Sequence, residues 1–161
     1  MPGRPAARVG DMTAHGSPLS VGPGSSNVMI GKKPAWRGIS AAQAAKLAET
    51  FAKGVKNITK AQEEATAVAG TPAAAAAAAK VVDTIKDAAA DMASLINSFT
   101  ADIHTCPVVK VAVPDGAGVV IDGSQTVLIN GLPACRMGDT IQETTSVNKI
   151  AAGEFTVVIG G

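Results

Sequence analysis

The sequence predicts a mainly β fold: three copies of one short unit wrapped about a pseudo-threefold axis, with an antiparallel α-helical hairpin inserted between them. Three observations carry that expectation. The stretch Gly123-Ser-Gln-Thr-Val-Leu-Ile-Asn-Gly-Leu-Pro-Ala-Cys-Arg-Met-Gly-Asp139 recurs as Gly24-Ser-Ser-Asn-Val-Met-Ile-Gly-Lys-Lys-Pro-Ala-Trp-Arg-Gly38, aligning Ile30 with Ile129, Pro34 with Pro133 and Arg37 with Arg136. Its front half returns as Gly153–Gly161 and its back half opens the chain as Pro5–Asp11, so joining the two ends would complete a third copy. Between the copies the composition changes. Residues 40–101 are rich in Ala and charge and hold a single Pro, whereas the flanks are rich in Gly, Pro, Val and Ile. The expected organisation is one discontinuous β domain, 1–39 and 102–161, around a helical insertion at 40–101.

Taken in order, Pro5-Ala-Ala-Arg8 leads into a turn at Gly10-Asp11, and Ser17–Gly24, with two Pro and two Gly, reads as a loop. Val28–Ile30 predicts a short strand turned back by Gly31-Lys-Lys-Pro34. Ser40 and Gln43 have the spacing of a capping box, ahead of an apolar face made by Leu47, Phe51, Val55 and Ile58. Gly70-Thr-Pro72 breaks that helix, and Pro72 suits the first turn of a second. The second apolar face is Val81 or Val82, Ile85, Ala89, Met92, Leu95 or Ile96, and Phe99. Two helices of roughly 30 residues would each run about 45 Å. Beyond them, Val108–Val113 predicts a strand, Pro114–Gly118 a turn and Val119–Ile121 a strand. Thr126–Ile129 predicts another strand, Thr140–Ala152 an irregular polar segment, and Thr156–Ile159 the last strand.

Composition excludes several functions. The net charge is +1, aromatics are 2 % and no basic run exists, which argues against a nucleic-acid groove. No apolar leader precedes the fold and no uninterrupted apolar stretch reaches spanning length, so a cytoplasmic origin without a signal peptide and without membrane integration is expected. In that compartment a Cys106–Cys135 disulfide is disfavoured. With so few rings, a small β domain needs another staple, such as a metal or a partner.

Metal-ligating residues are scarce and ordered. His15 follows Asp11 by four residues and Cys106 follows Asp102 by four, while His104 and Cys106 stand at i and i+2 on an extended segment and face the same way. Wrapped repeats would bring His15 and the His104/Cys106 pair together near the axis, a donor set that favours one structural, tetrahedral Zn²⁺. Asp115, Glu143 (four after Asp139), Cys135 or water would supply the fourth donor. Cys135 occupies the position held by Trp36 and Ala7 in the other copies, which makes it a packing residue. Arg8, Arg37 and Arg136 recur with Asp11 and Asp139 and read as turn-stabilising pairs. No Ser-His-Asp set, phosphate-binding glycine loop or His-Glu-x-x-His zinc-hydrolase motif is present, so no enzyme activity is expected.

Pro5-Ala-Ala-Arg8, Pro34-Ala-Trp-Arg37 and Pro133-Ala-Cys-Arg136 resemble the motif that names the PAAR-repeat family. Gly10–Leu19, Asp102–Pro107, Gly123–Ala134, Asn148–Ile150 and Thr156–Gly160 resemble further phrases of that family, in the same order. The resemblance implies a small cone of β-hairpins whose base caps the trimeric VgrG spike of a type VI secretion system. Its zinc-bearing apex would sharpen the spike for piercing target envelopes and help deliver effectors. Related tips cap phage tails and extracellular contractile injection particles. Carried over, the family's zinc ligands fall on His15, His104 and Cys106, with Asp115 standing where the family has the His of Pro-His-Gly. The implied protein is a monomer until it docks, is exported by the contractile machine and carries no toxin domain after the cone. The hairpin then serves an effector, adaptor or chaperone, decorates the flank, or is itself a small membrane-active effector.

Overall fold

The computed structural model describes residues 2–110 and 112–161. Ten short strands and two long helices follow the order β1 Arg4–Ala6, β2 Met29–Ile30, β3 Lys33–Pro34, α1 Ala41–Ala67, α2 Ala74–Asn97, β4 His104–Val109, β5 Pro114–Val120, β6 Leu128–Ile129, β7 Leu132–Pro133, β8 Thr140–Glu143, β9 Val147–Lys149 and β10 Glu154–Ile159. The β part is mainly hairpins, stacked in levels along one axis.

At the base lie three small antiparallel pairs, β2–β3, β6–β7 and β1–β10. The last of these joins the two chain ends, so the split copy is rebuilt as the repeat arithmetic requires. Ala6, Ala35 and Ala134 are buried at its centre, surrounded by Ile30, Ile129 and Ile159. One residue further along the chain the three copies lock to each other. Ala7 donates its N–H to the carbonyl of Cys135, Cys135 to that of Trp36, and Trp36 to that of Ala7, at 2.9–3.0 Å. That closed ring of hydrogen bonds defines the axis. Its side chains pack with Leu19, Val120, Ile141 and Ile150 into the central core. Cys135 is fully buried there, and burial pushes its thiol well above the ordinary range. It is a packing group.

The Arg–Asp pairs seal each copy. The N–H of Asp11, Asp102 and Asp139 reaches the carbonyl of Arg8, Arg37 and Arg136 at the same 3.1 Å, and each Asp carboxylate receives its arginine's backbone N–H at 2.8–2.9 Å. In two copies the pair is three residues apart. In the remaining copy, Arg37 and Asp102 are separated by the entire helical insertion, yet the geometry is unchanged. The sequence pattern alone leaves Arg37 without its partner.

Above the central core, the sheet β4–β5–β8–β9 curls, and the segment 12–22 bridges its two edges through Thr13–Ile150 and Val21–His104. This corrects two expectations. Pro114–Gly118 is strand, not turn, because its glycines serve close approach: a Cβ at Gly118 would stand 2.8 Å from Ile141 Cγ2 and 2.9 Å from Glu143 Cγ. Thr140–Ala152 contains the β8–β9 hairpin, whose polar side chains (Gln142, Glu143, Thr144, Asn148) are buried and hydrogen-bonded, so apolar alternation gave no sign of it. Val111, part of the expected Val108–Val113 strand, lies outside the described residues.

The insertion forms the expected antiparallel helix pair. Ser40 and Gln43 complete a capping box, and Gly54 lies against Ala88, where small side chains let the helices approach. Leu47, Met92 and Ile96 are buried with Ile39 and Val119 of the cone. Val55 lies on the expected apolar face, lining one groove with Phe51, Ile58 and Ile85, and stays 47 % exposed there. Farther along, Phe51 and Ile58 of α1 and Ile85 of α2 line one groove with Lys110, Thr144 and Thr145 of the apical loops. No helix among the described residues is long and apolar enough to cross a membrane.

Candidate metal centre

At the end of the axis opposite the base, the positions four residues after each sealing Asp meet. They are His15, Cys106 and Glu143, one from each copy, and Asp115 of β5 joins them. One donor atom of each lies within 4.8 Å of all the others. His15 Nδ1 is 3.6 Å from Cys106 Sγ, 3.5 Å from Asp115 Oδ2 and 3.1 Å from Glu143 Oε2, while Cys106 Sγ is 4.0 Å from Asp115 Oδ2. A tetrahedral centre with bonds of about 2.0–2.3 Å sets its donors about 3.3–3.8 Å apart. The His15–Cys106 and His15–Asp115 separations match that spacing, and the chemistry of the four side chains suits a tetrahedral metal.

Each donor is positioned. His15 is fixed through its backbone N–H, which donates to Asn148 Oδ1 at 3.1 Å. The same Asn148 donates Nδ2 to Glu143 Oε1 at 2.8 Å, and Ser146 donates to Glu143 Oε2 at 2.8 Å. Thr145 donates to Asp115 Oδ1 at 2.6 Å, and Lys110 Nζ stands 3.4 Å from Asp115 Oδ2. Burial alone would raise the Asp115 carboxyl, but hydrogen bonds from Thr145 and Ser146 and the Lys110 charge outweigh it and hold the group below its usual range. Asp115 is thus an anion ready for a cation.

His104 is fully buried beside this set but outside it. Its Nε2 lies 3.3 Å from Ser17 Oγ and 3.8 Å from Glu143 Oε1, and its Nδ1 has no hydrogen-bond partner. Burial lowers its pKa against the opposing pull of Glu143, which keeps the imidazole neutral, the form that ligates metal. Of the residues singled out in the sequence, the structure gathers His15, Cys106, Asp115 and Glu143, leaves His104 one contact away, and keeps Cys135 in the core. Asn148 and Thr145 carry no sequence signal of their role.

Burial raises the Cys106 thiol, so the metal-free site holds that proton at neutral pH. A metal that takes the thiolate must displace it. Binding is expected to release one proton at Cys106 and to weaken about tenfold per pH unit on acidification. Titration calorimetry in buffers of different ionisation heat reads that proton directly, and buffer-independent heats would contradict it.

The fold and site define a class: a repeat-built β module closed about an axis, with a metal-ligand cluster at one end. Residues 98–142 and 110–161 match the PAAR motif family, which supports reading the chain as a PAAR-repeat protein over its C-terminal part, 98–161. No curated protein and no solved structure matches it.

Proposed function

We propose that this protein is the tip of a contractile secretion spike: its base caps a trimeric VgrG-type protein of a type VI secretion system, and one structural zinc ion pins its apex. The observation that carries the reading is the base. Met29, Leu128 and Val158 occupy equivalent positions in the three base hairpins and are 56 %, 58 % and 60 % exposed. Three equivalent apolar side chains about one axis suit a partner with true threefold symmetry. Phe155, three residues before Val158 on the same strand β10, is also exposed, at 71 %. Exposed apolar surface of this regularity belongs to an interface.

Zinc is the ion the mixed His, Cys and carboxylate set favours, with His15, Cys106, Asp115 and Glu143 or His104 as its ligands. The role is structural, with no reaction on a substrate. Export follows from riding the spike, and the helical hairpin, which stands clear of the base, offers a place for an effector, adaptor or chaperone.

Co-purification with the cognate spike trimer tests the docking. The wild-type chain is expected to elute with the trimer in a one-to-three ratio. Leu128→Glu, which sets a charge in the apolar face, is expected to weaken the complex at least about a hundredfold while leaving the thermal transition unchanged. A complex indifferent to Leu128→Glu and Met29→Glu would place the spike elsewhere.

A further inference from the structure

Asp115 and Glu143 are fully buried at the apex, with carboxylate oxygens in the same small cluster. Two like charges buried together are costly unless a cation reaches them. Among the described residues, the only lysine or arginine in ion-pair contact with either carboxylate is Lys110, whose Nζ stands 3.4 Å from Asp115 Oδ2. The other nitrogens beside them belong to His15 and His104, imidazoles that ligate metal only when neutral.

Strand register puts the lysine there. Val109, the last residue of β4, pairs with Pro114 of β5, so Lys110 lies diagonally across from Asp115. Thr144 fixes the Asp115 carbonyl through its N–H and its hydroxyl, and Thr145 occupies Oδ1. Oδ2 is the oxygen that meets cations. It lies 3.4 Å from Lys110 Nζ and 3.5 Å from His15 Nδ1, at the edge of the donor cluster. The Lys110 side chain is 46 % exposed and that of Asp115 is 0 % exposed, so the ion pair has one end in water.

We propose, resting on the metal reading above, that Lys110 is a placeholder cation: in the metal-free protein its ammonium stands in for the metal at Asp115 Oδ2, and a divalent ion displaces it. Lysine and metal compete for one anionic oxygen and repel each other, so each weakens the other's hold on Asp115. The metal prevails because it is divalent and also takes His15, Cys106 and Glu143. Release costs the lysine little, because its half-exposed ammonium returns to water. Lys110 thus keeps the two buried carboxylates compatible before loading and sets the metal affinity below what the donor set alone would give.

Lys110→Gln, Lys110→Arg and, as a control on the exposed hairpin, Lys86→Gln test this in the full chain. Each is melted metal-free and at saturating zinc, and its zinc affinity is read by competition with a chromophoric chelator. Lys110→Gln is expected to lower the metal-free melting temperature by about 2–4 °C, to leave the zinc-saturated melt unchanged and to tighten zinc binding about fivefold, the size of an ion pair at the upper end of the exposed range. Lys110→Arg keeps the charge and is expected to match the wild type, as is Lys86→Gln. A salt bridge that serves only the fold would give equal losses in both melts and an unchanged affinity. That pattern, or a zinc affinity that falls in Lys110→Gln, overturns the proposal and leaves the metal reading standing. A wild type that takes up no zinc overturns the metal reading and the placeholder with it.

Discussion

Removing the metal is expected to lower the melting temperature of this protein by about 10 °C. The magnitude follows from linkage: a ligand present at about a thousand times its Kd adds about 4 kcal/mol, and a domain of this size shifts about 2–4 °C per kcal/mol. The physical reason lies in the composition of the apex. Asp115 and Glu143 are both fully buried, and their carboxylate oxygens lie within 4.8 Å of each other. Two such charges repel, and Lys110, itself half-exposed, offsets only part of that repulsion. A divalent ion reverses the sign. His15→Ala and Cys106→Ala are each expected to lose stoichiometric zinc and to melt near the chelated wild type. Cys135→Ala is expected to keep its metal, because that thiol lies in the core. Thermal melts with and without chelator, alongside metal analysis, check all of these. A wild type that melts identically in both states would remove the metal from the account of stability.

The wrapped architecture was legible because it is written in repeats. Copy alignment fixes which residues share a level, and the split third copy requires the chain ends to meet, as β1 and β10 do. The helical hairpin was legible from its capping residues and apolar spacing. What escaped was structure built from buried polar groups. The β8–β9 hairpin has no apolar alternation because its inward side chains hydrogen-bond to one another, as Asn148 and Ser146 do to Glu143. Residue type gave His15, His104 and Cys106 first claim on the metal. Register, counted from Asp11, Asp102 and Asp139, points equally to Glu143, and the structure places Glu143 at 3.1 Å from His15. Asp115 came from a motif position, not from any periodicity. The Arg37–Asp102 pair was hidden by the 64 residues between its members, although Arg8–Asp11 and Arg136–Asp139 show the rule it follows.

That hidden pair carries the second large effect. Asp102→Ala is expected to destabilise the protein by about 3–5 kcal/mol, the cost of leaving one member of a buried ion pair alone. Asp102 accepts from the Arg37 backbone N–H at 2.9 Å, from Arg37 Nε at 2.9 Å, from Arg37 Nη2 at 3.0 Å and from the Gly24 N–H at 3.1 Å. Its hydrogen bonds to Arg37 hold the guanidinium proton more firmly than usual, against the opposing effect of burial. Asp11→Ala and Asp139→Ala remove equivalent contacts, but in those copies only two residues separate the partners and the chain itself keeps the turn closed. At Asp102 the side chain also closes the port through which the hairpin leaves the cone. The distinguishing measurement is therefore local. Hydrogen exchange in Asp102→Ala is expected to rise at Ile39–Ala44 and Phe99–Ile103 beyond the global loss, whereas Asp11→Ala leaves those segments protected relative to the rest. Equal profiles in the two variants would mean that the packing of Leu47, Met92 and Ile96 on Val119 fixes the hairpin without the clasp.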